Sequence, residues 1–470
     1  MKRFYLFFLI LGLIFLQISE LMAQEKISPQ TQVCLSCHQV VTPGIVSDWK
    51  KSKHAKAVNN GKIIGCAECH TLDPEKHKDT FNHQGYKVHT VVTPLDCAKC
   101  HPKEAKEYSQ NLMAYAHVNL VSNPIYKQLM EAVNGIYLLQ EKGFKIEPPS
   151  QLSNQDSCFY CHGSKVEVKG FKTRNTVMGP MTFPEFTGWS NIGVGRLNPD
   201  DSKGSCSACH PRHSFSIEVA RKPETCATCH KGKDVPAYKV YAVSRHGTTY
   251  ASLKEKWNFG SKPWKLGEDY LTPTCAVCHI SEVYVEGKVV AKRTHQMSDR
   301  LAHRLFGLIY ATPHPKSPDT TIIKNKAGLP LPSELTGEPV KEFLIDEKEK
   351  LQRLNNMKAI CLSCHSTSWV EEHFARLEEA IRTTNAMTLS ATQLLLTAWQ
   401  KGVANQSDGL FNEAIEKMWV ETWLFYSNSV RFASAMAGVD NGVFEEGRWQ
   451  LAMNLNKMYD WLKFLLTSAK

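Results

Sequence analysis

The last hundred residues of the chain place apolar side chains at the spacing of α-helices. From Val370 onward these side chains recur every three or four residues, which marks one apolar face of a helix. Two later segments show the same spacing, and turn signals at 407–409 (Ser-Asp-Gly) and 440–442 (Asp-Asn-Gly) separate the segments. The three apolar faces comprise Val370, Phe374, Leu377 and Ile381; Phe411, Ile415, Met418, Tyr426 and Val430; and Leu451, Leu455, Met458, Leu462 and Leu465. Four tryptophans add apolar surface to these faces: Trp419, Trp423, Trp449 and Trp461. The pattern predicts a C-terminal helical domain over residues 366–470 whose faces form a core, an oligomer interface or both.

Before residue 366 the apolar periodicity is shorter and more often interrupted. The segment from Ala105 to Leu139 has helix-like spacing that Pro124 interrupts, and a pair of prolines at 148–149 closes it. Residues 163–189 are rich in glycine, proline and aromatic side chains, which predicts a long loop. Residues 312–350 are rich in proline, lysine and acidic side chains. This composition predicts a long surface loop, with contact to a partner or subunit as the alternative.

The N-terminus has the pattern of a secretory signal. Lys2 and Arg3 precede an apolar run over residues 4–18, and Ala23 offers a small residue for cleavage. The pattern predicts a signal peptide over residues 1–23 and export to the periplasm or an equivalent compartment. Because Leu21 is a less typical residue near the cleavage site, an uncleaved anchor is the alternative. No later apolar run has the length that a membrane span requires.

All sixteen cysteines fall in eight Cys-x-x-Cys-His units, the motif of covalent c-type haem attachment. The two sulfurs bond to the haem vinyl groups, and the adjacent histidine is an axial iron ligand. Zinc sites with four thiolates, or eight disulfides, would not explain a histidine after every second cysteine. The units are Cys34/Cys37/His38, Cys66/Cys69/His70, Cys97/Cys100/His101, Cys158/Cys161/His162, Cys206/Cys209/His210, Cys226/Cys229/His230, Cys275/Cys278/His279 and Cys361/Cys364/His365. The sequence therefore predicts eight covalently bound c-type haems.

The haems change the interpretation of fold and charge. We expect a mainly α multihaem cytochrome c, with a haem-packed core over residues 24–365 followed by the C-terminal bundle of long helices. The formal net charge of +10 alone would favour an anionic partner. Eight haems add about sixteen propionate charges and about eight ferric charges, which leaves the protein nearly neutral. Nucleic-acid binding is therefore not expected.

Low-spin electron-transfer haems need a second axial ligand on the distal face, opposite the attachment histidine. Nineteen histidines include the eight in the motifs, so eleven remain, and this number permits either eight or seven six-coordinate haems. No histidine occurs between His162 and His210, so the fourth haem has no locally supplied distal ligand. The expected distal ligands are His54, His77, His89, His117, His213, His246 and His295; the other histidines are His83, His303, His314 and His373.

The chain resembles the octahaem hydroxylamine oxidoreductases, a family that includes hydrazine dehydrogenases and nitrite-reducing relatives. The resemblance rests on the eight haem units, the phrase GWSNIGVGRLNPDDSKGSCSACHPRHSFSIEVARKPETCATCH, the later SRHG and THQMSDR stretches, and the haem-free helical end. It implies seven bis-histidine haems and a catalytic, five-coordinate fourth haem on His162. It also implies a homotrimer, because family members that oxidise hydroxylamine or hydrazine are trimers. Their catalytic haem is cross-linked to a tyrosine of the neighbouring subunit.

Two departures from the family concern the chemistry of the fourth haem. Where the family commonly has an Asp-His pair before a proline, this chain reads KGKDVPAY, so Asp234 is present and Val235 replaces the histidine. Where the family has its cross-linking tyrosine, after a small-residue run matching ASAMAG, this chain offers Asn441 and Trp449. Neither can form a phenolic link. Tyr426 and Tyr459 flank the region, but using either would require a shifted alignment.

These departures favour reduction over oxidation. We expect a reductase of nitrite, or of nitric oxide or hydroxylamine, with His162 and Asp234 as the catalytic residues and seven haems delivering electrons. The alternatives are a non-catalytic electron-transfer subunit of a respiratory complex and a hydroxylamine or hydrazine oxidoreductase. The expected partners are a small nitrogen-oxide substrate and a redox protein, either a small cytochrome or a quinol-oxidising complex.

Overall fold

The computed structural model describes residues 27–56, 58–59, 62–141, 143–407 and 409–468. The predicted signal peptide lies outside these ranges.

Helices make up most of the regular structure. Those before residue 366 are α1 (Pro29–Val41), α2 (Pro43–Lys51), α3 (Lys53–Lys56), α4 (Ala67–His70), α5 (Pro94–Ala98), α6 (Pro102–Ser109), α7 (Ala116–Ser122), α8 (Pro124–Asn134), α9 (Gln151–Gln155), α10 (Cys158–His162), α11 (Ile217–Arg221), α12 (Pro223–Ala227), α13 (Ala237–Val243), α14 (Arg245–Leu253), α15 (Cys275–His279) and α16 (Glu347–Cys361). Among the described residues, no helix combines the length and apolar character that a membrane crossing requires.

Several haem-binding motifs form one helical turn or end a helix. The fourth unit is the whole of α10 and the seventh is the whole of α15, whereas the second closes α4. Residues three apart lie on the same side of a helix, so both cysteine sulfurs of such a turn face one direction. The short helices therefore result from the motif itself, and they explain why the apolar periodicity before residue 366 is brief.

Strands occur as antiparallel two-stranded hairpins between the helices of the described chain. The pairs are β1 (Val58–Asn59) with β2 (Lys62–Ile63), β3 (Phe81–His83) with β4 (Tyr86–Val88), β5 (Ile136–Gln140) with β6 (Gly143–Glu147), β7 (Glu167–Thr176) with β8 (Gly179–Thr187), β9 (Val283–Val285) with β10 (Lys288–Ala291), and β11 (His303–Arg304) with β12 (Thr312–Pro313). Short 3₁₀ helices cover Pro74–Lys76, Cys206–Ala208, Lys254–Lys256 and Lys341–Phe343.

The helical segment predicted from Ala105 to Leu139 is interrupted at Pro124, as the sequence indicated, because Pro124 begins α8 behind an Asn123 cap. The end of that segment, however, is strand β5.

The loop predicted after the fourth haem unit is wrong, because β7 and β8 form a long hairpin there. The strands pair from Glu167 with Thr187 to Thr176 with Gly179. Thr173 and Thr182 face each other across the hairpin, with their hydroxyl oxygens 2.9 Å apart. Threonine and aromatic side chains suit paired strands. The tight turn lacks an Asn-Gly or Asp-Gly signal, which is why its composition resembled that of a loop.

The C-terminal helices agree with the predicted apolar faces. They are α17 (Thr367–Gln400), α18 (Ala414–Val420), α19 (Ser427–Met436) and α20 (Arg448–Ser468), and π-helical segments cover Glu421–Tyr426 and Asn441–Glu445. The first π segment joins α18 and α19 into one continuous helical stretch. Ile415, Trp419, Leu395 and Met458 meet in the largest apolar cluster. Burial of these faces provides the main stabilising contribution of the bundle.

The predicted surface loop over residues 312–350 is irregular but partly buried. Leu331 belongs to the same apolar cluster as Leu395 and Trp419, and Tyr310 donates a hydrogen bond to the Leu335 carbonyl. The stretch also buries Ile323, Leu344 and Ile345. The predicted long surface loop is therefore irregular as expected, but part of it packs into the core. Its apolar anchors are isolated between prolines and charges, so no periodicity revealed them.

Candidate haem sites

The eight attachment units lie close together although they are spread along the chain. Thiols of successive or nearby units approach to hydrogen-bonding reach at Cys34 with Cys66, Cys97 with Cys206, Cys161 with Cys229, and Cys226 with Cys275. Weaker electrostatic contacts join Cys69 with Cys100, Cys209 with Cys226, and Cys278 with Cys361. All sixteen thiols are free of disulfides in this structure. The units thus form one connected series, in which the fourth joins the others through the sixth.

Cys37 takes no part in these contacts between units, and the same holds for Cys158 and Cys364. The motif predicts that Cys37 bonds to the first haem, and in the structure its half-buried thiol lies beside the Ser36 hydroxyl, with 3.8 Å between Cys37 Sγ and Ser36 Oγ. Cys34, one turn earlier in α1, contacts Cys66 instead. Cys37 therefore stands outside the series of thiol contacts given above, a difference that the sequence did not foresee because both cysteines belong to the same motif. Haem attachment at Cys37 stays a prediction.

Three histidine pairs have the geometry of two ligands on one iron. A metal-bound imidazole nitrogen lies about 2 Å from the metal, so two imidazoles on opposite faces of an iron place their ring centroids about 6 Å apart. The centroid distances are 6.0 Å for His38 with His83, 6.2 Å for His101 with His54, and 6.1 Å for His365 with His246. The residues present therefore fit a haem at the first, third and eighth units.

A fourth pair, His70 and His89, has a similar centroid distance of 6.1 Å. The Nδ1 of His70 lies 2.9 Å from the His89 carbonyl oxygen, and the two backbones are also hydrogen-bonded. This contact places the His89 backbone on the Nδ1 side of His70, away from the nitrogen that would face an iron. Because the interplanar angle of 44° equals that of His38 with His83, the role of His89 as distal ligand of the second haem stays a prediction.

His77 lies flat against His89, with ring centroids 3.6 Å apart and an interplanar angle of 2°. The Nε2 of His77 is 3.1 Å from Asp96 Oδ1. Burial opposes protonation of His77, but the hydrogen bond and charge of Asp96 raise its pKa above the ordinary value. In this structure both rings turn toward a carboxylate, and the role of His77 and His89 as distal iron ligands stays a prediction. The sequence count gave them this role without revealing Asp96 beside them.

The remaining expected distal ligands are His117, His213 and His295. None of their rings is paired with the ring of an attachment histidine among the described residues. His295 is the strongest electrostatic neighbour of His210, and His213 acts on the charge of His70. His117 is buried, and its Nδ1 contacts the Gly163 carbonyl at 2.6 Å. Fixing Nδ1 in this way leaves the other ring nitrogen available to a metal.

The attachment histidine of the fourth unit, like those of the fifth, sixth and seventh units, has no histidine ring paired with it among the described residues. His162 Nδ1 lies 3.3 Å from the Ala116 carbonyl, so the backbone next to His117 is on the attachment side of this site. Burial lowers the pKa of His162, the charge of Asp234 opposes this effect, and the charge of Arg304 adds to it.

Asp234 is an electrostatic neighbour of the fourth haem unit, where its charge acts on His162. Its charge also acts on both thiols of that unit, Cys158 and Cys161, and on His230 of the sixth. The Asp234 side chain is exposed in the single chain. A carboxylate at this position can exchange protons with solvent and with a molecule bound near His162.

Arg304, on β11, is a candidate residue that sequence reasoning missed. Its Nε donates a 3.0 Å hydrogen bond to the Phe306 carbonyl, and its guanidinium lies 5.6 Å from the centre of the Phe306 ring. Phe306 in turn stacks on Phe432 of α19 at 6.0 Å. No acidic side chain pairs with Arg304 among the described residues. The only signal in the sequence was a basic residue next to His303.

The tail positions that correspond to the family's cross-linking tyrosine have no phenol. Asn441 is fully buried, and its amide donates to Glu445 Oε2 at 2.8 Å. Trp449 is 55% exposed and Tyr459 is 58% exposed. The Tyr426 hydroxyl contacts Glu421 at 3.5 Å. These contacts occupy Asn441 and Tyr426 within their own helices.

Comparisons with known proteins agree with the haem motifs. A family model described as seven times multi-haem cytochrome CxxCH matches residues 195–298. A solved structure described as a hypothetical multihaem protein is 39% identical and superimposes with a TM-score of 0.87, covering 94% of this chain and 97% of that one. A reducing HAO-like protein complex from Kuenenia stuttgartiensis has a TM-score of 0.62 and 18% identity over 96% of this chain and 87% of that one, which shows a shared fold.

A curated relative from Kuenenia stuttgartiensis is named as a probable nitrite reductase-hydroxylamine oxidoreductase fusion protein. It is 27% identical over 274 residues, which is 53% of this chain. The chain spans about a quarter of that relative's length, since the match covers 25% of it.

Proposed function

The chain belongs to the hydroxylamine oxidoreductase-like multihaem c-type cytochromes, and from this premise we propose that it reduces nitrite at its fourth haem. We propose nitric oxide and hydroxylamine as alternative substrates for reduction at the same site. The observation that carries the proposal is the pair of opposite charges, Asp234 and Arg304, that act on His162. An open iron position, an acid and a cation are what reduction of an anionic oxide requires.

Haem, when bound, supplies the redox chemistry of this site and the position at which a small molecule binds. His162 would hold the iron of this haem, and its ring is oriented by the Ala116 carbonyl. Arg304 attracts the anionic substrate. Asp234 donates the proton that the departing oxygen needs, as a general acid.

The direction of the reaction is supported by what this chain lacks. The family's oxidases cross-link their catalytic haem to a tyrosine, and here Asn441 and Trp449 stand at the matching positions. Val235 removes the pocket histidine, so Asp234 is the acid left at that position. We propose that a site with one acid and no cross-link donates electrons more readily than it withdraws them.

The other haems are proposed to be bis-histidine electron carriers. For the first, third and eighth, the distal ligands are His83, His54 and His246, on the ring distances given above. For the second and fifth we assign His213 and His295, on their electrostatic proximity to His70 and His210. The connected series of attachment cysteines gives these haems a route that reaches the fourth through the sixth.

A second candidate function is a non-catalytic electron-transfer subunit of a respiratory complex. The loss of the pocket histidine to Val235 favours it, because a weakened pocket would tolerate an inert fourth haem. We further propose an exported homotrimer that receives electrons from a small cytochrome or a quinol-oxidising complex. The structural neighbour from Kuenenia stuttgartiensis, a reducing HAO-like protein complex, supports association with a partner.

One experiment separates the two functions. The purified, haem-loaded protein is reduced with an artificial low-potential donor and mixed with nitrite, while donor oxidation and nitrogen products are followed. Turnover with loss of nitrite supports the reductase. Full haem reduction with no turnover of nitrite, nitric oxide or hydroxylamine supports the electron-transfer subunit, and rapid hydroxylamine oxidation contradicts the proposed direction.

A further inference from the structure

A second cluster of potential metal ligands lies between α5 and the segment before β3, next to the second and third haem units. Ligand atoms of His77, His89 and Asp96 all lie within 4.8 Å of one another, and all three residues are buried. The Nε2 of His77 is 3.1 Å from Asp96 Oδ1, and the Nε2 of His89 is 3.6 Å from Asp96 Oδ2. The cluster combines two imidazoles and a carboxylate, a donor set that suits zinc.

The spacing of these atoms matches that of ligands around one ion. Zinc–nitrogen and zinc–oxygen bonds are about 2.0–2.1 Å, so two ligands of a tetrahedral ion lie about 3.3 Å apart. The distances of 3.1 Å and 3.6 Å lie on either side of this value. Asp96 Oδ2 also accepts a 2.7 Å hydrogen bond from the Thr93 amide, which fixes the carboxylate and leaves Oδ1 for an ion.

The cluster contains buried polar atoms that have no hydrogen-bond partner. His89 is fully buried, and neither of its ring nitrogens is hydrogen-bonded. A buried polar group without a partner is costly, so such an atom in a native protein calls for a ligand, ion or water. The ring of His89 is held parallel to His77, and its Nε2 is directed toward the shared carboxylate.

An outer carboxylate stands behind His77. Asp79 Oδ1 is 3.8 Å from His77 Nδ1, and Asp79 Oδ2 accepts hydrogen bonds from the Thr90 and Val91 amides at 2.8 Å each. Metal-bound histidines usually direct their second ring nitrogen to a carboxylate or carbonyl, which sets the tautomer. The ion pairs of Asp79 and Asp96 among the described residues involve histidine and no lysine or arginine. Two buried carboxylates without a basic side chain suit a divalent cation.

We propose that His77, His89 and Asp96 bind one zinc ion, with Asp79 orienting His77 and a water completing the coordination. The ion has a structural role, because the His89 carbonyl accepts from His70 of the second haem unit at 2.9 Å. The site therefore ties β4 and α5 to the attachment segment of that haem. The competing occupant is a proton shared between His77 and Asp96.

The test measures metal content in the haem-loaded protein. After dialysis against a weak chelator, elemental analysis should give about one zinc for the eight haem irons expected from the motifs. Asp96→Asn and His77→Gln should each retain less than about a tenth of that zinc at unchanged haem content. Lys78→Ala is the matched control, since Lys78 is an exposed neighbour of His77 and should keep the zinc.

A second measurement covers variants that fold poorly. A strong chelator should lower the melting temperature of the wild-type protein, and added zinc should restore it, because a ligand of the folded state alone stabilises that state. Zinc-free wild-type protein that takes up no zinc on titration would overturn the proposal and leave the shared proton as occupant. Zinc retained by both variants would overturn it as well. Neither readout depends on nitrite turnover.

Discussion

Asn428 donates a hydrogen bond of 2.8 Å to the carbonyl oxygen of Asp234, although 194 residues separate them. The same amide group donates to the Leu424 carbonyl at 2.8 Å, and its oxygen accepts from Arg431 at 3.2 Å. Arg431 also donates to the Leu305 carbonyl, next to Arg304. Helix α19, which carries no haem, thus holds both loops that place charged residues near His162.

Asn428→Ala should reduce nitrite turnover by loosening the loop of Asp234. The substitution leaves buried groups without partners, at a cost of about 1–3 kcal/mol in the free energy of unfolding. Asn454→Ala is the control, because Asn454 is equally buried and donates to the Met418 carbonyl and to Thr422, away from this loop. Thermal unfolding and steady-state rates should show similar destabilisation of both variants but a lower kcat only for Asn428→Ala. Equal rates in the two variants would contradict the coupling.

Asp234→Asn should slow nitrite reduction about a hundredfold or more, the usual effect of losing a general acid. Asparagine has a similar shape but cannot release a proton, so haem content and fold should stay unchanged. Asp440→Asn, at an exposed position in the tail, is the matched control. Turnover is measured with an artificial donor and haem with the pyridine haemochrome assay. A near-normal rate in Asp234→Asn would show that water or another residue supplies the proton.

Arg304→Gln should raise the KM for nitrite about tenfold, which corresponds to ~1.4 kcal/mol of lost attraction. The effect should fall mainly on KM and should shrink at high ionic strength, because salt screens charges. Arg304→Lys should recover part of the affinity. Arg382→Gln, which removes an exposed arginine paired with Glu379, should leave KM unchanged. A change confined to kcat would assign Arg304 a different role.

The sequence was sufficient to identify the attachment motifs because covalent haem binding requires their residues in one short segment. It was also sufficient for the long terminal helices, whose faces repeat over many turns, as Val370 and Met458 show by being fully buried. It was insufficient for the distal ligands, because these come from distant segments. His83 lies opposite His38 in a short hairpin, a position that no spacing rule marks.

Other differences have the same physical origin. A count of histidines predicts His77 and His89 as iron ligands but does not reveal that both rings lie beside Asp96. Cys34 and Cys37 are equivalent in the motif, yet only the folded chain shows that Cys34 meets another unit whereas Cys37 lies beside Ser36. Local rules thus identify motifs, whereas the surroundings of each motif depend on tertiary contacts.

Arg304 went unnoticed for a related reason. Its charge matters only because β11 packs beside α19, where Phe306 stacks on Phe432. Neither the spacing of residues 303–306 nor their composition indicates that contact, so an arginine there resembles any surface cation.

The protein should contain eight c-type haems, one of them high-spin. Eight intact motifs motivate the count, and the family resemblance, together with the absence of a histidine between His162 and His210, motivates the spin state. Pyridine haemochrome and intact mass should give eight haems per chain, and electron paramagnetic resonance should give a high-spin signal from about one iron in eight that shifts with cyanide. Six or fewer haems in folded protein would contradict the count. An entirely low-spin spectrum insensitive to ligands would contradict the open fourth site.

No covalent link between subunits should form. We expect a protein without this link to reduce nitrite rather than to oxidise hydroxylamine. A cross-linking tyrosine would need a phenol where this chain has Asn441, which is buried and bonded to Glu445, or Trp449. Denaturing electrophoresis of boiled, reduced protein should therefore give monomers, whatever the native oligomer. Trp449→Tyr tests the reason directly, because it offers an exposed phenol, while Trp461→Tyr offers one on the same helix outside the matching positions. Boiling-resistant oligomers of the wild-type protein would contradict the prediction and implicate Tyr426 or Tyr459. If such oligomers also oxidised hydroxylamine rapidly, the argument for reduction would fail with them.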